Sequence, residues 1–166
     1  MKKIVWKNKS NGQLCITIPI NCGINEGDVV ELNKSRIKRI SYSAVVADLF
    51  HYGHLHSIQF AKSISDYNIC GVLTDEAVEK IKTRPIANLQ ERKAIISSLN
   101  CVDKVIVQQS KDPTENLKKI HEEFPDAKIT LVHGSDWKYV HGSDYIKKIG
   151  GRIVQHPYYE RLSNFK

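Results

Sequence analysis

From Ser41 onward, short apolar runs alternate with longer stretches in which apolar residues recur every three or four positions. The short runs predict buried strands, and the recurring pattern predicts helices with one apolar face. Regular alternation of the two is typical of a parallel sheet covered by helices, because a parallel connection needs a long crossover. The sequence therefore predicts an α/β domain with a doubly wound, five-stranded parallel sheet.

The predicted elements can be placed along the chain. Strands are expected at 43–48, 68–74, 103–107, 128–133 and 152–155. Helices are expected at 54–66, 75–82, 88–99, 113–123 and 142–149. Pro113 and Thr114 suit a helix start, and Gly150 followed by Gly151 suits a helix end.

The first part of the chain has a different pattern. Three short β segments, separated by glycine turns, are expected at 4–6, 14–18 and 29–32. The change of pattern falls near residues 34–40. We therefore divide the chain into a small β module at 1–38 and a larger domain at 39–166.

Composition limits the classes of protein to consider. The chain has 166 residues, of which 41% are hydrophobic and 26% charged, which excludes an intrinsically disordered protein. No run reaches the roughly 18 to 20 apolar residues of a membrane span, and no signal peptide follows the start, so we expect a cytoplasmic protein without a membrane partner. Four irregularly spaced cysteines are expected to stay reduced and free of metal: Cys15, Cys22, Cys70 and Cys101.

The formal net charge of +7 favours a polyanionic or phosphorylated ligand, and it leaves both nucleic acid and nucleotide open.

A histidine motif follows the first predicted strand of the larger domain. His51, Gly53 and His54 stand where a helix is expected to begin. Helix N-termini attract phosphates through free N–H groups, and a glycine lets a nucleotide approach the backbone closely. Two imidazoles could stabilise charge that develops at an α-phosphorus. A solvated helix cap explains an isolated pair of histidines equally well.

The neighbouring residues favour the phosphate interpretation. His51, Gly53 and His54 match the His-x-Gly-His motif of the cytidylyltransferase family of nucleotidyltransferases, which the sequence resembles over residues 43–163. Further segments resemble the family in order and spacing: Thr74-Asp75, Lys82, Arg84-Pro85, Glu91-Arg92, Val102-Asp103-Lys104-Val105 and His133-Gly134-Ser135-Asp136-Trp137-Lys138. The resemblance implies a Rossmann-like fold and transfer of CMP from CTP with release of pyrophosphate.

The resemblance also implies roles for individual residues. The catalytic residues would be His51, His54 and Lys82. The nucleotide-binding residues would be Val46, Ala47, Asp48, Gly53, Arg92, His133, Gly134 and Ser163. The acceptor-binding residues would be Lys62, Asp136, Trp137 and Arg161. Taken alone, Lys62 and Arg92 fit structural or solvated charges better. Mg²⁺ is expected to enter with the CTP phosphates, without protein side chains as ligands.

The last motif departs from the family. Among residues 158–164 only Ser163 matches clearly, while Tyr158 stands in place of an arginine and Arg161 in place of a glycine. This departure leaves an inactive nucleotide-binding scaffold as an alternative. We also expect that the chain, which stops at Lys166, is either a trimmed portion of a longer polypeptide or a domain that another normally follows.

The sequences of the motifs look most similar to those of phosphonate cytidylyltransferases, so 2-aminoethylphosphonate is the first expected acceptor. Phosphocholine, phosphoethanolamine and glycerol 3-phosphate enzymes share the same core motifs. An adenylyl donor is the next enzymatic alternative.

The β module resembles the AbrB-type swapped-hairpin domain through Gly12-Gln13-Leu14, Thr17-Ile18-Pro19 and the run 23–32. That resemblance implies a homodimer. Basic residues that could contact DNA phosphates are Lys2, Lys3, Lys7, Lys9, Lys34, Arg36, Lys38 and Arg39. They fit a solvated surface as well, so nucleic acid is not the expected partner. A DNA-binding regulator that senses a nucleotide is the rival from another class of protein.

Overall fold

The structure, a computed structural model, describes residues 6–17, 22–28, 37–135 and 139–157. The chain divides into two compact units, residues 1–35 and 36–166. In the first unit, β1 (Trp6–Lys7) pairs antiparallel with β2 (Leu14–Cys15). The expected segment 29–32 lies outside the described residues. The swapped-hairpin resemblance and the homodimer therefore remain predictions.

The second unit contains a five-stranded parallel sheet. Its strands are β3 (Arg39–Val45), β4 (Tyr67–Leu73), β5 (Lys104–Gln108), β6 (Lys128–Gly134) and β7 (Arg152–His156). The strand order is β5-β4-β3-β6-β7, and every neighbouring pair is parallel. This order reverses between β3 and β6, as in doubly wound nucleotide-binding sheets. The predicted fold class is confirmed.

Five helices connect these strands. They are α1 (Tyr52–Ser63), α2 (Asp75–Glu79), α3 (Leu89–Ser97), α4 (Thr114–Glu123) and α5 (Ser143–Lys148). Pro113 is the N-cap of α4, and Gly150, with a φ of 68°, follows the end of α5 in the left-handed region. The predicted helix start and helix end are therefore confirmed.

The first strand of this sheet is shifted from its expected position of 43–48. It begins at Arg39 and ends at Val45, because Ala47 has a φ of 59° and cannot continue a strand. The early part was missed since its polar side chains hide the apolar pattern. Ser41, for example, is buried and bonds Ser65 (2.7 Å) and Asn68 (2.8 Å) through its hydroxyl.

Apolar clusters cover both faces of the sheet. One face packs Tyr42 and Leu131 against Leu117 of α4 and Ile146 of α5. The other face packs residues of β4 against α1 and α3, with Cys70, Val72, Ile58 and Ile96 as its members. Helices on both faces leave only the edges and ends of the sheet open to ligands.

Among the described residues, no helix has the length and apolar character needed to span a bilayer. The four cysteines are free thiols in the structure.

We expect Gly71→Ala to destabilise the domain by about 2 kcal/mol, the usual cost of overpacking a core. A Cβ at Gly71 would lie 2.1 Å from the buried Tyr42 hydroxyl and 3.1 Å from Gln108 Oε1. Urea denaturation measures the loss. The double variant Gly71→Ala, Tyr42→Phe removes the closest atom and should lose less than the sum of the two single variants. Wild-type stability of the single variant would contradict this packing.

Candidate active site

The carboxyl ends of the sheet strands open onto a cavity of about 350 Å³. Its lining residues come from the ends of the strands and from the loops and helices that follow them: Ala44, Val45, Val46, His51, Gly53, His54, His56, Ser57, Leu73, Ile81, Lys82, Gln108, Lys111, His133, Gly134, His156 and Pro157. Doubly wound sheets bind ligands at this end, at the point where the strand order reverses. The cavity is therefore the candidate site.

The two motif histidines form the start of α1. His51 is the N-cap, and its Nδ1 accepts a hydrogen bond from the Gly53 N–H at 3.1 Å. Nδ1 of His54 accepts from the His51 N–H at 3.4 Å, and the two rings lie 4.0 Å apart between centroids. Because Nδ1 of each ring accepts, that nitrogen carries no proton, and the proton of the ring lies on Nε2, where it can donate to a ligand.

The first turn of α1 contains no acidic residue. Its positive end is therefore not neutralised from within the helix, and an anionic ligand can take that place. A helix cap and a phosphate site are therefore compatible here, because the hydrogen bonds that cap the helix also orient the two imidazole donors.

His54 is half-buried, and its surroundings keep it neutral. Desolvation, together with the nearby His51 and Lys82, lowers its pKa from 6.5 to about 4, while Asp48 opposes this shift. A neutral donor does not repel Mg²⁺ or a second cation that accompanies a triphosphate. His54 is thus suited to donate a hydrogen bond across the whole physiological pH range.

We expect the His54 ring to titrate near pH 4 in the free protein, and at a higher pH when a nucleoside triphosphate is bound. The folded pKa lies below the unfolded value of 6.5, so its contribution to stability is full above pH 6.5 and is lost as pH falls toward 4. Histidine NMR titration, with His54→Gln to assign the signal, measures both shifts. A free-protein midpoint near 6.5 would contradict this burial.

Lys82 lines the cavity beyond the end of α2, where its N–H donates to Val78 O at 2.9 Å. Asp48 shapes the adjoining loop: its carboxylate accepts from the Ile86 and Ala87 N–H groups, each at 3.1 Å. These two bonds lower the pKa of Asp48. Asp48 is not a lining residue, so it acts on the cavity through the loop that follows Lys82.

Other expected nucleotide-binding residues do reach the cavity. Val46, Gly53, His133 and Gly134 all line it. Ala47 does not, because it is fully buried and packs into the core. The expected residues Ser163, Asp136, Trp137 and Arg161 lie outside the described residues, and their roles remain predictions.

The assignment of Arg92 to nucleotide contact is corrected. The Arg92 side chain is fully buried and is absent from the cavity lining. Its guanidinium donates to Val46 O (2.5 Å), Ala87 O (3.0 Å) and Asp75 Oδ1 (2.5 Å). Arg92 therefore joins the end of β3 to the loop before α3 and to the start of α2, which makes it a structural residue.

The assignment of Lys62 to the acceptor is also corrected. Lys62 lies in the last turn of α1, at the opposite end of that helix from His51. Its Nζ pairs with Asp103 at 2.5 Å, and Asp103 also accepts from the Asn68 N–H at the start of β4. Lys62 thus lies at the amino end of the sheet, away from the cavity.

The sequence reasoning missed several residues that line the cavity, namely Gln108, Lys111, His56, His156 and Ser57. Gln108 and His156 directly follow the predicted strands 103–107 and 152–155, and Lys111 lies in the loop after Gln108. The rule that ligands bind at the carboxyl ends of parallel strands could have identified them. His56 lies within α1, and no motif of the sequence pointed to it.

Five histidines and two lysines line the cavity, and its described lining contains no carboxylate. No cluster of three or more His, Cys, Asp or Glu side chains suited to a metal ion occurs within the described ranges. Mg²⁺ prefers oxygen ligands. The described lining therefore offers Mg²⁺ no carboxylate ligand.

A parallel sheet that reverses order beside a histidine-capped helix defines a nucleotide-binding domain of the nucleotidyltransferase type. The sequence pattern described as Cytidylyltransferase-like matches residues 46–158. The chain therefore belongs to the cytidylyltransferase-like family.

Similar proteins support this membership. The chain is 32% identical over 130 residues to the bifunctional protein HldE of Syntrophotalea carbinolica and 34% identical over 130 residues to HldE of Caulobacter vibrioides. Each match covers 76% of this chain, but only 25% and 26% of the respective relatives. This chain thus spans about a quarter of the length of those proteins.

A solved structure is also similar. It is the lipopolysaccharide core biosynthesis protein from Thermoplasma volcanium, with a TM-score of 0.59 and 25% sequence identity. The match covers 73% of this chain and 98% of that one.

Proposed function

We propose that this protein transfers a nucleoside monophosphate from a nucleoside triphosphate to the phosphate of a small acceptor, with release of pyrophosphate. One observation carries the proposal: His51, Gly53 and His54 at the start of α1 line the same cavity as Lys82. The phosphate groups of a triphosphate can be bound by a helix N-terminus, two imidazole donors and a cation.

In this reaction an oxygen of the acceptor phosphate attacks the α-phosphorus in line. The new P–O bond forms as the bond to the β-phosphate oxygen breaks, and the electron pair leaves with pyrophosphate. The Nε2–H groups of His51 and His54 would donate to the phosphate oxygens that gain charge, while Lys82 would stabilise the α-phosphate. Positioning and charge stabilisation account for the catalysis, without a covalent intermediate on the protein.

Mg²⁺ belongs to the proposal as an ion bound by the triphosphate. It would neutralise charge on the phosphate oxygens when bound. The protein side chains that we assign to the same oxygens are donors and cations, consistent with a lining that offers no carboxylate ligand.

We place ATP first as donor and a sugar phosphate first as acceptor. The expectation of CTP rested on resemblance to the cytidylyltransferase family, and that of a phosphonate on similarity to phosphonate enzymes. The relatives described above are instead two HldE proteins and a lipopolysaccharide core biosynthesis protein. Lipopolysaccharide core is built from sugars, which supports a sugar phosphate as the acceptor class. Adenylyl transfer is the alternative that the motifs already allowed.

Pyrophosphate release tests the proposal directly. The protein is incubated with Mg²⁺, with ATP or CTP, and with one acceptor at a time: a set of hexose and heptose phosphates, 2-aminoethylphosphonate, phosphocholine and glycerol 3-phosphate. Release with ATP and a sugar phosphate is expected. Release only with CTP and 2-aminoethylphosphonate would overturn both substrate assignments but keep the reaction. Absence of pyrophosphate release with every combination of nucleotide and acceptor would overturn nucleotidyl transfer.

We expect Lys82→Ala to lower kcat/KM about thirtyfold, the scale of one lost hydrogen bond to a charged group. The matched control is Lys80→Ala, since Lys80 is an exposed lysine two positions away that does not line the cavity. The control is expected to keep wild-type kinetics. Equal effects of the two substitutions would show that general positive charge, rather than the position of Lys82, matters.

A further inference from the structure

Lys111 is a second cation of the cavity, and no motif of the sequence pointed to it. It lies in the loop after β5, the edge strand of the sheet, whereas His133 and Gly134 come from the end of β6. The nucleotide of a doubly wound sheet lies where the order reverses, here between β3 and β6. The side of the cavity formed by β4 and β5 is left for the second substrate.

The loop that carries Lys111 is held by a buried polar side chain. Gln108 is 2% exposed, and its Nε2 donates to Ser110 O (2.9 Å) and Lys111 O (3.5 Å). Its Oε1 accepts from the Tyr42 hydroxyl, which in turn accepts from Asn116 Nδ2 at 3.1 Å. Fully satisfied buried networks of this kind make a segment rigid.

The other end of the same loop is held as well. Asp112 Oδ1 accepts from the Thr114 N–H at 2.9 Å and from the Thr114 hydroxyl at 2.6 Å, at the start of α4. Lys111 is thus placed between two anchored residues. A lysine on such a loop loses less freedom when it binds an anion than one on an unanchored loop.

The charge of the second substrate explains why a cation is needed here. The acceptor phosphate must approach a triphosphate, and the two anions repel each other. We propose that Lys111 binds the non-reacting oxygens of the acceptor phosphate and so selects phosphate monoesters as acceptors. This inference rests on the proposed function and adds a specificity residue to it.

Calorimetric titration of inorganic phosphate separates the two substrate subsites. The full chain is first saturated with α,β-methylene ATP and Mg²⁺, so that phosphate can enter only the remaining part of the cavity. Lys111→Ala is expected to weaken phosphate binding at least about tenfold, the scale of a charged hydrogen bond, and to change the affinity for the ATP analogue less than about twofold. Lys111→Arg is expected to restore most of the phosphate affinity.

The matched control is Lys119→Ala, because Lys119 is an exposed lysine of α4 that does not line the cavity. It is expected to bind both probes as the wild type does. Unchanged phosphate affinity in Lys111→Ala would overturn the inference, and so would an equal loss for the ATP analogue, which would assign Lys111 to the donor. Absence of phosphate binding to the saturated wild type would overturn it too, while leaving nucleotidyl transfer to the pyrophosphate assay.

If α,β-methylene ATP does not bind, α,β-methylene CTP takes its place in the same titration. Failure of both analogues to bind would instead count against the proposed function. In that case, titration of inorganic phosphate into the protein without bound nucleotide tests the inference by itself. A tenfold loss in Lys111→Ala would support an anion site at Lys111, and no loss would reject it.

Discussion

His54→Ala is expected to lower kcat at least about a hundredfold, the scale of deleting one preorganised transition-state donor. The neutral ring donates through Nε2 because its Nδ1 accepts from the His51 N–H. Stability is expected to change little: that bond is long, at 3.4 Å, and the bond from the Gly53 N–H to His51 still caps the helix. Steady-state kinetics and urea denaturation measure the two quantities.

The matched control is His121→Ala, since His121 lies on α4 and does not line the cavity. It removes an imidazole of equal size and is expected to keep wild-type turnover. Wild-type turnover in His54→Ala would remove the basis of the site assignment. A loss of turnover that follows a loss of folded protein would show that the ring acts through stability instead.

Arg92→Ala is expected to lower the free energy of unfolding by about 3 kcal/mol or more, the usual result of removing one partner of a buried pair. The substitution leaves Asp75 without its cation, and Val46 O and Ala87 O without a donor. All three groups lie near the candidate site, so activity is expected to fall together with stability. Urea denaturation gives the magnitude.

Arg84→Ala provides the comparison, because the Arg84 side chain is 78% exposed and its contact with Glu79 is 3.4 Å long. Exposed pairs of this kind contribute less than about 1 kcal/mol. Arg92→Lys keeps the charge but not the planar fork, and is expected to fall between the wild type and Arg92→Ala. Equal stability of Arg92→Ala and Arg84→Ala would contradict a structural role for Arg92.

The sequence predicted most of the sheet and helices because their apolar periodicity survives in this chain. Strands β4 to β7 and the five helices described in the larger unit lie close to their expected positions. The prediction failed at β3, where buried serines replace the apolar residues of a typical strand. Hydrogen bonds between side chains that are distant in sequence stabilise such positions, and periodicity cannot detect them.

The site was predicted in part, and for a different reason. His51 and His54 belong to a motif whose spacing follows from a strand, a turn and a helix, and Lys82 belongs to a later segment of the family resemblance. The structure brings all three to one cavity. Arg92 and Lys62 carry the positive charge that phosphate-binding residues have. Arg92 is buried and pairs with Asp75, and Lys62 pairs with Asp103, so both have structural roles instead. A residue type alone does not show which partner lies nearest.

The capping bonds at the start of α1 couple formation of the helix to the position of the proton on each histidine ring. Each ring accepts a backbone N–H through Nδ1, which it can do only while that nitrogen carries no proton. Acid that protonates both nitrogens of His54 removes its bond from the His51 N–H, while the bond from the Gly53 N–H to His51 still caps the helix. The same proton therefore weakens the cap and changes the donor. Formation of the helix thus selects the tautomer that the proposed chemistry requires, before any substrate arrives.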